Sequence, residues 1–206
     1  MTPPRGRPNA VDHAPTRLVV VRHGETEWSR SGRHTGRTDI PLTDRGREQA
    51  ARLGRALGGR AFNRVLSSPL ARALDTCRIA GFGDRVELDD DLREWDYGAY
   101  EGRTRVEIAA EIPGWTVWTD PIVDGESLRA LGRRADRVIA MALPIGGDVL
   151  VFSHGHILRV LAARWVEQPP ILGSRLELGT ASISELGWEQ ERRTIESWNM
   201  PGGESA

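Results

Sequence analysis

Residues 17–24 read Arg-Leu-Val-Val-Val-Arg-His-Gly, a short β-branched run that stops at an arginine, a histidine and a glycine. A continuous apolar run of this length, ended by a turn residue, is typical of a strand that is buried on both faces. The run therefore predicts a buried strand whose carboxyl end opens into a polar loop at Arg22, His23 and Gly24.

The same pattern recurs twice, at residues 63–66 before Ser-Ser-Pro and at residues 148–152 before Ser-His-Gly. The periodicity places helices over 43–57, 70–79, 104–111, 126–143 and 156–165, and further strands over 86–88, 181–186 and 192–198. Strands that alternate with helices indicate a sheet covered on both faces. We therefore predict an α/β fold, a three-layer αβα sandwich with a mostly parallel central sheet.

The chain has 206 residues, enough for one domain with a substantial core. The first 16 residues contain four prolines and the last six contain glycine and serine. We predict a flexible arm over residues 1–16, one domain over 17–200 and a flexible tail over 201–206.

Composition limits the partners and the compartment. The formal net charge of -1 supplies no global basic field to gather nucleic acid or an anionic membrane. No apolar stretch approaches the roughly 20 residues of a membrane helix, and the N-terminus lacks a secretory signal. The one cysteine, Cys77, cannot form an internal disulfide, in agreement with a reducing compartment. We therefore expect a cytoplasmic protein that binds neither nucleic acid nor membrane.

Charged and imidazole side chains stand where three predicted strands end. A lone histidine at such a position is more often structural than functional. Here Arg22 and His23 end the first strand, Arg72 lies in the first helical turn after the second, and His154 and Gly155 follow the third. Open α/β sheets bind ligands at the carboxyl ends of their strands. Two guanidiniums at that edge suit a phosphoryl group, and a helix start favours a bound anion.

Two loops add polar groups. Residues 92–102 read Leu-Arg-Glu-Trp-Asp-Tyr-Gly-Ala-Tyr-Glu-Gly and place several carboxyls among aromatic rings. A carboxyl shielded in this way can have a raised pKa and donate a proton near neutral pH, although spacing does not say which acid does so. The loop over residues 29–38 offers hydroxyls and glycines to line a phosphate site.

Four blocks occur in a fixed order along the chain: Arg22-His23-Gly24-Glu25-Thr26, residues 68–73, Glu94 with Tyr97-Gly98, and Ser153-His154-Gly155. Together they resemble the histidine phosphatase superfamily, which includes the phosphoglycerate mutases, over residues 17–198. Residues 27–29, 35–39, 94–98 and 154–156 are most similar to the sedoheptulose-bisphosphatase-like branch, and bacterial acid phosphatases look similar.

The resemblance implies a phosphatase that works through a phosphohistidine. His23 is the expected nucleophile, and Glu94 the proton donor and then the base. The groups expected to hold the phosphoryl oxygens are Arg22, Arg72 and His154. The residues expected to contact substrate are Ser29, Thr35, Gly36, Tyr97 and Gly155. The resemblance further implies no metal, no cofactor and a small phosphorylated metabolite as partner, and it leaves a homodimer open.

Two positions depart from the family pattern. Many members have asparagine where this chain has Ser29, so the phosphate contact there is expected to be shorter or to run through water. Many have glycine where this chain has His156, and we expect this histidine to be a solvent-exposed residue of a helix start rather than part of the substrate entrance. His34 is interpreted as a residue of a polar loop.

Three other interpretations compete. A cofactor-dependent phosphoglycerate mutase shares the catalytic residues but is usually longer, with an added segment over the site; residues 112–126 offer only a shorter cover. A non-catalytic phosphate-binding regulator would have lost one of the site residues, and none is missing. A metallohydrolase is disfavoured because no His-x-x-His or His-Glu-x-x-His pattern appears.

Overall fold

The computed structural model describes residues 14–202. Its strands are β1 Arg17–Arg22, β2 Arg64–Ser67, β3 Val86–Leu88, β4 Asp148–Ser153, β5 Ser182–Glu189 and β6 Arg192–Pro201. Its α-helices are α1 Glu27–Ser31, α2 Asp44–Leu57, α3 Ala71–Ile79, α4 Arg105–Glu111, α5 Leu128–Ala142 and α6 Gly155–Trp165. Among residues 14–202, no helix has the length and the apolar character needed to cross a membrane.

The six strands form one mixed sheet in the order β3-β2-β4-β1-β5-β6. The four strands β3, β2, β4 and β1 run parallel, whereas β5 and β6 are antiparallel additions at one side. The predicted α/β class with a mostly parallel central sheet is confirmed. The central pair is β1 and β4, so the two strands that end in histidine lie side by side.

Alternate residues of β1 point into two separate cores. Leu18 and Val20 pack in one core, against residues of α5 and α6, whereas Val19 and Val21 pack in the other, which includes Leu53 of α2. Because side chains alternate across a strand, an all-apolar strand needs cover on both faces. This is the physical basis of the three layers that the apolar run predicts.

Local sequence explains where the helices begin. The Thr43 side chain caps α2 by accepting a hydrogen bond from the Gly46 amide at 3.0 Å, at the residue where the sequence predicts this helix to begin. The short helix α1 is not predicted from the sequence. Thr26 and Ser29 form a reciprocal capping box there, and serine replaces the acidic residue that usually marks this motif.

Residues at both ends of the described chain have partners in the fold, and the limits of the arm, domain and tail stay a prediction. Residues 1–13 of the predicted arm and 203–206 of the predicted tail lie outside the described residues. Thr16, however, is buried and donates a 2.9 Å hydrogen bond to the carbonyl oxygen of Leu143. At the other end β6 runs to Pro201. The packed chain therefore includes Thr16 and Pro201, because both have partners in the fold.

Candidate active site

Strand pairing brings the two histidines together at one edge of the sheet. Arg22 is in register with Ser153, and the amide of His23 donates to the carbonyl oxygen of Ser153 at 3.0 Å. The ring centroids of His23 and His154 are 5.2 Å apart. The carboxyl ends of β1 and β4 therefore form a common site, as parallel neighbours in an α/β sheet do.

His23 is held as a neutral ring with one free nitrogen. Its Nδ1 lies 2.7 Å from the carbonyl oxygen of Gly24, which can only accept, so Nδ1 carries the hydrogen and Nε2 carries the lone pair. The residue is buried. Burial, with the charges of Arg72 and Arg22, lowers the pKa of His23 well below its ordinary value, although the Gly24 contact opposes this. The ring is thus prepared as a nucleophile.

Arg22 offers an unused donor next to that ring. Its Nη1 donates to the carbonyl oxygen of Leu178, but its buried Nε has no hydrogen-bond partner among the described residues. Gly155 gives the guanidinium room, because a Cβ at that position would lie 3.3 Å from Arg22 Cζ. Burial lowers the pKa of Arg22. A bound anion would satisfy the orphaned Nε and offset the cost of burying the charge.

Arg72 and His154 lie behind His23 and are held by protein groups, which take four of the five Arg72 N–H donors. Arg72 is fully buried; its Nε donates to His154 Nδ1 at 3.1 Å, and its Nη atoms donate to the carbonyl oxygens of Thr35, Gly36 and Thr38 at 2.9–3.0 Å. His154 Nε2 lies 2.8 Å from Ser68 Oγ. In this arrangement Arg72 orders the 35–38 loop and adds positive charge behind the nucleophile. Direct contact of Arg72 or His154 with a phosphoryl oxygen stays a prediction.

Glu94 is fixed by the start of α6. Its carboxylate accepts hydrogen bonds from the backbone amides of Trp95, His156 and Ile157, at 2.9, 3.0 and 3.0 Å. Two of these amides belong to the first turn of α6, where unpaired N–H groups are available. The carboxyl group is buried but borders the same cavity as His23. A proton donor or acceptor is therefore held at a defined place beside the nucleophile.

Three of the groups described above, Arg22, His23 and Glu94, border a cavity of about 180 Å³. Its lining consists of Arg22, His23, Ser29, Gly32, Arg33, His34, Thr35, Glu94, Tyr97, Gly155, His156, Arg159 and Leu178. The cavity thus collects the predicted residues Arg22, His23 and Glu94, whereas Arg72 and His154 lie outside its lining. Its size fits a phosphoryl group with a small leaving group.

The predicted substrate contacts fall into two groups. Thr35 and Gly155 line the cavity, whereas Gly36 lies outside its lining and its carbonyl oxygen accepts from Arg72. A Cβ at Gly36 would lie 2.2 Å from Glu101 Oε1, so a larger residue does not fit this closely packed loop.

Ser29 and Tyr97 also line the cavity, but their hydroxyls are engaged. Ser29 Oγ donates to the carbonyl oxygen of Thr26 at 3.0 Å as part of the α1 cap. The hydroxyl of Tyr97 lies 2.7 Å from Nδ1 of His156. Any contact of these two residues with substrate therefore has to share a hydroxyl that already has a protein partner.

Two histidines that we expected outside the site belong to it. His156 lines the cavity and its side chain is 22% exposed, so the expectation of a solvent-exposed helix start is wrong. His34 is likewise more than a loop residue. Its ring packs edge-on against Tyr97, with centroids 4.9 Å apart, and its Nδ1 contacts the carbonyl oxygen of Arg103 at 2.8 Å. Tertiary contacts that the sequence does not reveal draw both rings inward.

Arg159 is a cavity residue that the sequence analysis did not single out. It lies three residues after His156 on α6, and side chains at this spacing share one helix face. Its Nε donates to the carbonyl oxygen of Gly173 at 2.9 Å, and its guanidinium carbon stacks 4.6 Å from the centre of the Trp118 ring. Helical spacing from His156 is the signal that would have found it.

The segment over residues 112–126 covers one side of the site. Trp115 is buried in the core. The Trp118 ring lies 5.1 Å from the His156 ring and 5.5 Å from the Trp95 ring, between centroids. This segment thus contributes an aromatic wall next to Arg159.

A family model for the histidine phosphatase superfamily, branch 1, matches residues 18–201. The chain belongs to the histidine phosphatase superfamily. This histidine phosphatase is 44% identical to an acid phosphatase of Mycobacterium tuberculosis over 90% of this chain and 93% of that protein. It is 37% identical to the sedoheptulose 1,7-bisphosphatase of Saccharomyces cerevisiae, over 72% of this chain and 67% of the yeast enzyme.

Among solved structures, the product of the open reading frame Rv3214 from Mycobacterium tuberculosis superposes on this histidine phosphatase with a TM-score of 0.85. The two are 42% identical, and the match covers 91% of this chain and 98% of the other. The family resemblance of the sequence motifs is therefore confirmed in both sequence and architecture.

Proposed function

We propose that this histidine phosphatase hydrolyses phosphomonoesters through a covalent phosphohistidine at Nε2 of His23. The observation that carries the proposal is that a neutral His23, whose Nδ1 is fixed by Gly24, lines the same cavity as Arg22, whose buried Nε has no partner among the described residues. The first supplies a nucleophile and the second an anion donor. The relatives named as phosphatases support the same reaction class.

The reaction takes two displacement steps. In the first, the Nε2 lone pair of His23 forms a bond to phosphorus, the ester P–O bond breaks, and Glu94 gives its proton to the leaving oxygen. In the second, Glu94 takes a proton from water as the water oxygen attacks phosphorus and the P–N bond breaks. Inorganic phosphate leaves, and His23 and Glu94 return to their starting states. Arg22, with Arg72 behind it, offsets the negative charge on the transferring group.

The remaining cavity wall favours an oxygen-rich leaving group. Arg33, His34 and Arg159 stand with the phosphoryl-facing residues around one small space. Guanidiniums suit hydroxyl, carboxylate or second phosphate oxygens. We propose sugar phosphates or sugar bisphosphates as substrates, a class in keeping with the bisphosphatase among the relatives.

The site requires no metal in this scheme, because arginines supply the positive charge. Within residues 14–202, no group of three or more histidine, cysteine, aspartate or glutamate side chains is arranged to hold a metal ion.

We propose the cytoplasm as the compartment of this protein and a small metabolite as its ligand. The single cysteine, Cys77, is free and buried, which suits reducing conditions.

Hydrolysis by the purified protein tests the proposal. We expect release of inorganic phosphate that survives EDTA, and an acid-labile phosphate on the protein during turnover. His23→Ala should abolish both. Arg64→Ala, which removes an exposed pair with Glu87 far from the cavity, is the control and should keep turnover.

Retention of most activity in His23→Ala would overturn the proposal. Transfer of the phosphoryl group mainly to a second hydroxyl of the substrate, with little free phosphate, would assign the protein to mutase chemistry instead. Binding of phosphate esters with no turnover at all would assign it to a regulator.

A further inference from the structure

His156 carries a polar group that the two-step reaction does not use. It is the second residue of α6, directly after Gly155, and it lines the cavity. The Trp118 and Trp95 rings flank it, with centroids 5.1 and 5.8 Å from its own. The aromatic neighbours fix the plane of the imidazole, so its two nitrogens have defined surroundings.

Tyr97 determines which nitrogen of His156 carries the hydrogen. Tyr97 is 2% exposed, and its hydroxyl lies 2.7 Å from His156 Nδ1, its one hydrogen-bond partner among the described residues. A buried hydroxyl needs an acceptor for its hydrogen. Tyr97 therefore donates and Nδ1 accepts, which leaves the hydrogen of the neutral ring on Nε2.

The electrostatic surroundings keep both partners neutral. Burial, followed by the charge of Arg159, lowers the pKa of His156 well below its ordinary value, and His34 and Arg22 act in the same direction. Burial and the nearby Glu94 carboxylate raise the pKa of Tyr97 well above its ordinary value, although Arg22, Arg72 and Arg159 oppose this. The Tyr97 hydroxyl therefore remains a donor, and the imidazole does not take up a second hydrogen.

The free Nε2–H belongs to a ring that stands beside the proposed proton donor. His156 Nδ1 is 4.0 Å from Glu94 Oε2, and among residues 14–202 its Nε2 makes no hydrogen bond. We infer that this Nε2–H binds an oxygen of the leaving group and selects phosphate esters of polyols and sugars over esters of plain alcohols. The inference rests on the proposed function, since Glu94 marks where the leaving oxygen lies.

A site built to hydrogen-bond a hydroxyl discriminates against analogues that lack it, because the polar group is then buried without a partner. Glycerol 1-phosphate and propyl phosphate share a three-carbon skeleton and differ in two hydroxyls. The ratio of their kcat/KM values therefore measures recognition of leaving-group oxygens separately from phosphoryl transfer, which both substrates undergo.

Two amide substitutions distinguish the nitrogens of His156. The amide of asparagine reaches the position of Nδ1 and keeps the Tyr97 contact, whereas the longer glutamine places an NH2 group near Nε2. We expect His156→Asn to lower the glycerol-to-propyl ratio roughly tenfold, the value of one hydrogen bond, and His156→Gln to keep it within about threefold. Tyr97→Phe removes the hydrogen bond that fixes the tautomer of His156, and it should lower the ratio to an intermediate value.

Thermal unfolding of each variant shows that it is folded before its kinetics are compared. An equal ratio in wild type and His156→Asn, or an equal loss in His156→Asn and His156→Gln, would overturn the inference while the proposed function stands. Absence of turnover and of phosphate on His23 in the wild-type protein would overturn the proposed function and this inference with it.

Discussion

Grouping guanidiniums around an imidazole away from water costs free energy, and single residues show how the structure limits that cost. Two arginines, the half-buried Arg22 and the fully buried Arg72, would favour an anion over a cation anywhere nearby. His23 responds by staying neutral, and Gly24 directs its hydrogen to Nδ1. The same charges that suppress protonation of the nucleophile attract a phosphate dianion, so both effects prepare the same reaction.

The protonation state of His23 can be observed directly. Because burial and the two arginines lower its pKa, the ring should stay neutral on the acid side of pH 6.5, the value of an unperturbed histidine. We expect nitrogen NMR of the imidazole to show the Nδ1–H tautomer unchanged from pH 7.5 to 6.0. Loss of this signal in His23→Gln assigns it, and titration near pH 6.5 would contradict the prediction.

Glu94→Gln separates proton donation from phosphoryl transfer. Poor leaving groups such as sugar alkoxides need a proton, whereas p-nitrophenolate does not, so we expect kcat to fall about 100-fold for sugar phosphates and much less for p-nitrophenyl phosphate. Glutamine also turns one acceptor into a donor opposite the amides of His156 and Ile157, which should lower the melting temperature. Equal losses of kcat on both substrates would remove Glu94 from the role of acid.

Sequence patterns predict some properties of the site residues but not others. The blocks around His23, Glu94 and His154 predict which side chains meet, because strand ends in a parallel sheet share an edge. They do not predict which hydroxyl is free. Ser29 serves its own helix cap and Tyr97 serves His156, and both facts follow from hydrogen-bond geometry rather than from residue type.

At the scale of elements, α5 positions the loop that carries Glu94. All five N–H groups of Arg134 on this helix are used: three donate to the carbonyl oxygens of residues 91, 93 and 94, and two to the carboxylate of Glu126. Three carbonyls of one irregular segment thus converge on a single guanidinium. The helix therefore holds in place a loop that its own backbone hydrogen bonds do not order.

We predict that Arg134→Lys loosens this loop, because an ammonium cannot replace the five-donor fork. Lysine keeps the charge opposite Glu126 but leaves carbonyl oxygens of this segment without a donor, which should cost about 1–3 kcal/mol of unfolding free energy. The activity loss should be several-fold greater on sugar phosphates than on p-nitrophenyl phosphate, since Glu94 is misplaced. Denaturant unfolding and kinetics with both substrates measure the two effects.

Arg137→Lys is the matched control, since Arg137 lies on the same helix but pairs with Asp91 at the surface. Exposed pairs contribute about 0–1 kcal/mol, so its unfolding free energy should change little. If Arg134→Lys proved no more harmful than Arg137→Lys, α5 would have no special part in placing the Glu94 loop.

Most elements are predictable because a single physical signal dominates each. The apolar run gives β1, and the Thr43 cap gives α2. Helix α1 escapes prediction because its five residues include no buried side chain, so no hydrophobic period marks it. The covering segment over residues 112–126 is equally unpredictable, since its shape depends on where Trp115 and Trp118 find partners in the rest of the molecule.

At the scale of the whole molecule, neutral histidines couple stability to pH. Folding lowers the pKa of His23, His154 and His156, whereas in the unfolded chain they titrate near 6.5. Below that pH the unfolded chain binds more protons, so stability falls as pH falls, by up to roughly 1.4 kcal/mol per pH unit for each histidine. We expect the urea midpoint to drop steadily from pH 7 to pH 5.

His156→Gln provides the internal check for this linkage. Removing one titrating group should lower the slope of unfolding free energy against pH between pH 7 and pH 5 by up to roughly 1.4 kcal/mol per pH unit, the contribution of one proton. A midpoint that rises between pH 7 and pH 5, or a slope that is the same in the variant, would show that these histidines do not govern the acid sensitivity of the fold.

The reactive residues lie on the sheet, apart from the covering segment over residues 112–126, and this separation is useful for engineering. Arg22 and His23 are placed by the pairing of β1 with β4, and residues 118–121 take no part in that pairing. Trp118, however, contacts Arg159 and His156, which both line the cavity. A mutant library restricted to residues 118–121 should therefore yield many active clones with shifted substrate preference. New catalysts can be sought there while Arg22 and His23 stay in place.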